Sequence, residues 1–178
     1  MNKLSYLLIT GLILISFSCS NTGNRQTSQN AYFDLKSYFE QEAHRLNAEN
    51  PKLSKTVNDN GKTETKTVRD TLWTKELSVF INSNINKPAW SKSYKVVKTD
   101  TSELYTAIDS ALKTKSIAIL RDTNGHIRNI KIVNRTSNEL YDLDEWLTYD
   151  PNHFYKIERK QKAKLLKESH FEIEGRFL

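Results

Sequence analysis

Four carboxylates crowd one short stretch of this chain: Asp142, Asp144, Glu145 and Asp150. Asp142 and Asp144 are two residues apart, so on a strand they share a face with Cβ atoms roughly 7 Å apart. Paired carboxylates at that separation can divide the work of general acid and base in glycoside hydrolysis. They can equally pair across strands with lysines of residues 156–164, as any acidic strand face does. A hydrolase acting on an envelope polymer would need them to converge with a histidine. The four histidines are His44, His126, His153 and His170. No two of them stand at metal-ligand spacing, and no Cys pair exists, so the sequence offers no metal site. It also lacks a Gly-x-Ser-x-Gly elbow, and its 5 glycines form no phosphate loop. No cofactor is expected, and no residue is singled out as catalytic.

Aromatic side chains offer a second kind of chemistry, recognition. The chain has 3 Trp and 8 Tyr. Trp146 lies on the even face of its segment with Asp142 and Asp144, opposite Tyr141 and Leu143. A tryptophan on a polar face can stack on a ligand or anchor a partner. The plainer alternative is a strand covered on both faces, with Trp146 packed under a helix. Trp90, at a loop exit, and Tyr141 join it as candidate contact residues.

The elements that must position these groups are read from periodicity. Residues 31–49 predict a helix, with Tyr32, Leu35, Phe39, Ala43 and Leu46 on one stripe, stopped by Asn50 and Pro51. Residues 53–57 and 62–68 predict a polar edge hairpin around Asn60-Gly61, whose positive φ suits a tight turn. A second helix is expected from an Asp70 or Thr71 cap to about Ser83, burying Trp73, Leu77, Phe80 and Ile81. From Tyr94 onward the period becomes two. Residues 104–112 fit a helix face or a strand and are read as strand. Ile117-Ala118-Ile119-Leu120 is apolar on both faces and predicts a strand covered on each side. Asn124-Gly125 predicts a second turn of the same shape as the first. In the last strands Tyr155, Ile157 and Ala163 alternate with Lys156, Glu158, Lys160, Lys162 and Lys164, which sends most of the basic run to solvent. The expected architecture is α+β: two helices on a curled antiparallel meander of about 7–8 strands, with the helices plugging its hollow side.

The first nineteen residues set the location. Lys3, an apolar stretch over 7–15 and the small residues before Cys19 form an export signal. The stretch is shorter than the ~20 residues of a membrane span. Cys19 is the only cysteine, so no disulfide can form within one chain. This arrangement resembles a bacterial lipoprotein signal, with Ser18 before the cysteine. Ser16 stands where that pattern prefers leucine, and Phe17 is bulky for its place. The remainder looks like the small lipoproteins of the Bacteroidota. The resemblance implies cleavage after residue 18, acyl chains (diacylglycerol, palmitate) on Cys19, and anchoring to a membrane. Ser20 and the absence of acidic residues before Asp34 resemble an outer-membrane address facing the periplasm.

Three segments follow: a signal over 1–18, a flexible tether over 19–30 with no apolar residue in 20–30, and one domain over 31–178. Lys3 is the one charge in the signal, so the net charge falls from +6 to +5 on its removal. The lysines are dispersed rather than blocked, and export argues against a nucleic-acid partner. Asp70-Thr71-Leu72 and Asp109-Ser110-Ala111 resemble O-glycosylation acceptors of Bacteroidota, although helix capping explains the first as well. The reading is therefore a membrane-anchored, non-catalytic module that binds a ligand, a lipid or an envelope protein. A lipoprotein-carrier fold, with a half-open barrel for acyl chains, is the architectural analogy. It requires an apolar hollow. A filled core would favour an accessory role in an envelope complex, read through exposed aromatics.

Overall fold

The computed structural model describes residues 31–69, 72–164 and 166–178. Cys19, the signal, the tether and the Asp70-Thr71 cap lie outside the described residues.

Alternating apolar and polar residues over long runs build strands, and all nine described strands join one open antiparallel sheet. They are β1 (Lys52–Asp59), β2 (Lys62–Arg69), β3 (Tyr94–Lys98), β4 (Ser102–Ala107), β5 (Thr114–Arg121), β6 (Ile127–Ser137), β7 (Tyr141–Asp150), β8 (Phe154–Ala163) and β9 (Ser169–Phe177). Their spatial order is β2-β1-β9-β8-β7-β6-β5-β4-β3. From β3 to β9 each strand pairs with the next, a meander. The N-terminal hairpin then adds to its far end through β1 and β9. The polar hairpin thus supplies one edge strand, β2, whose residues are almost all exposed, while β1 is an interior strand. Nine strands form rather than seven or eight, because both strands of this hairpin extend the meander's sheet.

One face of the sheet is covered by helices. Asp34 caps α1 (Leu35–Glu49), accepting from the Ser37 amide at 3.1 Å, and Asn50 ends it in the left-handed region. The stripe Leu35, Phe39, Ala43 and Leu46 is buried as expected. Tyr32 is buried just ahead of the helix, where its hydroxyl donates to the Trp90 carbonyl at 2.9 Å. The second expected helix is two short ones, α2 (Trp73–Glu76) and α3 (Ser78–Ile81), broken at Leu77. The break still turns Trp73, Leu77 and Phe80 into one core. Phe39 and Phe80 approach to 4.8 Å between ring centroids and both meet Tyr149 of β7. The place a hollow would occupy is filled by Leu35, Phe39, Trp73 and Phe80, all fully buried.

Three local expectations change. The segment after Leu104 is strand only to Ala107; Asp109 then accepts from the Ala111 amide at 2.8 Å, turning the chain. Ile108 is therefore exposed. The second Asn-Gly turn has another shape, since only Gly125 has positive φ, whereas both Asn60 and Gly61 do in the first. Asp122 organises it by accepting from the Asn124 and His126 amides, each at 2.9 Å. Finally, β5 is covered on one face only. Ile117 and Ile119 are buried under the helices, but Leu120 points away from them and is exposed.

Candidate functional site

The open face of the sheet divides into two chemically different halves. Register assigns its residues. Val97 of β3 opposes Leu104 of β4, which opposes Ala118 of β5. Val133 of β6 opposes Trp146 of β7 and lies diagonal to Ala118, whose direct partner is Lys131. An apolar band thus crosses five strands, with Leu120 beside it. Exposures of 50% for Val97, 41% for Leu104, 48% for Leu120 and 38% for Trp146 show that none of the described helices covers it. The solvent side of an antiparallel sheet is ordinarily polar, so this band departs from what solubility alone requires.

The other half, on β7 to β9, is charged. Asp144 lies 3.6 Å from Arg135, and Asp142 accepts from the Ser137 hydroxyl. Their cross-strand neighbours on β8 are Lys160 and Lys162. These contacts make the aspartates an ion-paired strand face, and no histidine contacts either one among the described residues. The basic run does alternate outward as expected: Lys156 meets Glu172 at 3.0 Å and Lys160 meets Glu168 at 3.1 Å.

The three aromatic candidates are not brought together. Trp146 is on the open face. Tyr141 is on the opposite face, half-buried at the far end of β7. Trp90 ends a short 3₁₀ turn (Pro88–Trp90), packs against the core and carries the Lys87 ammonium 4.1 Å above its ring. Trp90 is thus explained by packing, and Trp146 is the one whose exposure calls for a partner.

Glu145, which interrupts the apolar side of its strand, points under the helices and is 3% exposed. Arg159 on β8 donates to it at 2.9 Å, Lys113 reaches it at 3.5 Å, and Asn134 donates at 3.4 Å. A buried carboxylate stands only with such partners. Beside this cluster, Leu72, Val79, Ile157 and Ile173 floor a surface recess of about 410 Å³ with Lys75 and Arg159 at its rim.

At the other end of the covered face, Glu103 accepts from Tyr105, Lys98 (2.9 Å) and Arg121 (2.9 Å). Burial alone would raise its pKa. The hydrogen bonds from Tyr105, Lys98 and Arg121 outweigh burial and hold it at about 2. Burial, then the neighbouring Glu42, pushes the Tyr149 hydroxyl well above the ordinary phenol range. Both are fully partnered groups that brace the core.

One cluster escaped sequence reasoning. Glu158, His170 and Glu172 meet on the charged half, with potential ligand atoms all within 4.8 Å of one another. The spacing His-x-Glu within β9 was a signal, but the third member comes from β8 and requires the register.

Comparison with family models, curated proteins and solved structures finds no match. Function must therefore be argued from these surfaces. Among the described residues no helix is long and apolar enough to cross a membrane.

Proposed function

We propose that the chain is a membrane-anchored lipoprotein, held through acyl chains on Cys19 at the periplasmic side of the outer membrane, whose folded domain docks an envelope protein without catalysing a reaction. The observation that carries the docking reading is the exposed band from Val97 through Leu104 and Ala118 to Trp146 on the open sheet face. A tryptophan at the end of an apolar band, bordering charged residues such as its cross-strand partner Glu158, supplies the aromatic anchor and polar rim of an interface. The lipid-carrier alternative loses support because side chains from α1, α2 and α3 fill the place of the acyl cavity. The polymer-hydrolase alternative loses support because Asp142 and Asp144 are tied to Ser137 and Arg135.

The test is site-specific photo-crosslinking in the native host. A photoreactive residue at Leu104 or Trp146 should yield a discrete protein adduct, and the same residue at Glu64 on β2 should not. Adducts absent at both band positions sink the docking reading. The anchor is checked separately: the mature protein's intact mass should carry diacylglycerol on Cys19, and Cys19→Ser should leave the membrane fraction.

A further inference from the structure

We propose that Glu158, His170 and Glu172 form a binding site for a divalent late first-row transition ion, zinc foremost. This inference does not rest on the docking reading, although Glu158 is the direct cross-strand partner of Trp146.

Three facts of the sheet converge. Glu158 and Glu172 are direct cross-strand partners, and His170 sits two residues before Glu172 on the same face. Two carboxylates placed opposite one another repel, and a cation between them relieves the repulsion. The cation now serving is Lys156, at 3.0 Å from Glu172 and 3.7 Å from Glu158; His170 Nε2 lies 3.2 Å from Glu158. The Lys156 ammonium is held above its ordinary pKa, chiefly by its hydrogen bond to Glu172.

The strands themselves are interior to the sheet, flanked by β7 and β1, so the ligands stand on rigid elements. His170 is further pinned at its backbone: its amide donates to Asn60 Oδ1 at 2.9 Å and its carbonyl accepts from the Asn60 amide at 2.8 Å. A tetrahedral zinc ion takes nitrogen and carboxylate oxygen at about 2.0–2.2 Å. Ligand atoms within 4.8 Å of one another must draw together to about 3.3–3.6 Å to share one tetrahedral ion. The imidazole selects zinc, nickel or copper over the all-oxygen sites of calcium and magnesium. Three protein ligands leave one position open to water or to a group on a partner. Binding displaces the Lys156 ammonium from between the carboxylates.

The experiment is calorimetric titration of Zn²⁺ into the full-length, tag-free chain in detergent, carrying Cys19→Ser so that no thiol competes. One equivalent should bind saturably at pH 7.5. His170→Ala and Glu172→Gln should each weaken binding at least about tenfold, with unfolding curves unchanged because these side chains lie on the open face. Lys156→Met removes the competing cation and should bind more tightly. Absence of saturable binding in both the parent and the Lys156→Met variant overturns the proposal. So does undiminished binding in the double variant His170→Ala/Glu172→Gln.

Discussion

The two faces of this sheet are made from the same strands and differ in what lies above them. On one face Ile119, Ile130, Ile132, Leu147 and Tyr149 are fully buried in one core with Phe39 of α1 and Phe80 of α3, both of which meet the Tyr149 ring. On the other, Leu104, Leu120 and Trp146 are of similar character and remain partly in water. An apolar residue on a strand therefore states only that its face is to be covered, by the chain itself or by something else. The first face is stability, and the second is available for recognition.

The largest expected effect separates the faces directly. Phe39→Ala should lower stability by about 3–5 kcal/mol, since its ring is enclosed by Phe80, Tyr38 and Tyr149. Leu104→Ala, on the open face, should cost under ~1 kcal/mol. Urea unfolding of both variants checks this, and equal losses would break the distinction.

Next comes Gly175, whose cross-strand partner is Tyr155. A Cβ there would fall well inside contact with the Tyr155 ring. That ring meets Trp73, and its hydroxyl donates to Glu76 of α2. Gly175→Ala should cost about 1–3 kcal/mol by overpacking. An alanine variant as stable as the parent would show that Tyr155 is not held against the strand.

A smaller, pH-dependent effect belongs to Glu103. Its folded pKa, about 2, lies below an unfolded value of about 4.3. Its contribution is thus complete above that unfolded value and is lost as pH falls toward 2. Allowing for solvent screening, Glu103→Gln should cost on the order of 1 kcal/mol at pH 6. The difference from the parent should shrink by pH 2.5, as comparative denaturation would reveal; a difference that grows on acidification would reverse the sign.

Smallest in stability, and largest in consequence for docking, is Trp146→Ala. It should shift the unfolding midpoint little while removing the crosslinked adduct formed from Leu104. Retention of that adduct at full yield would place the anchor elsewhere in the band.

Much of this was legible in the chain. The stripe Leu35, Phe39, Ala43 and Leu46, the alternation of Tyr155 and Ile157 with lysines, and the Asn60-Gly61 turn are local consequences of period and of backbone preference. So were the break of α1 at Asn50 and the placing of Trp146 opposite Tyr141. The strand count and the length of β4 were not, because they depend on which neighbours complete the hydrogen bonding. Which face of β5 is covered was not either: Ile117, Ala118, Ile119 and Leu120 read alike in sequence, and only the docking of α1 to α3 separates them.

The amino-acid sequence by itself determined the stripe of α1, the Asn60-Gly61 turn, the alternation of β8 and, by resemblance, an expected lipid anchor at Cys19. These follow from residues within a few positions of one another. The tertiary structure alone decided that the concealed face is filled rather than hollow, that Trp146 is exposed while Trp90 packs against the core, and that Glu158 meets His170 and Glu172. Each of these depends on register and packing between segments far apart in the chain, where side-chain neighbours are set by the sheet and not by sequence distance.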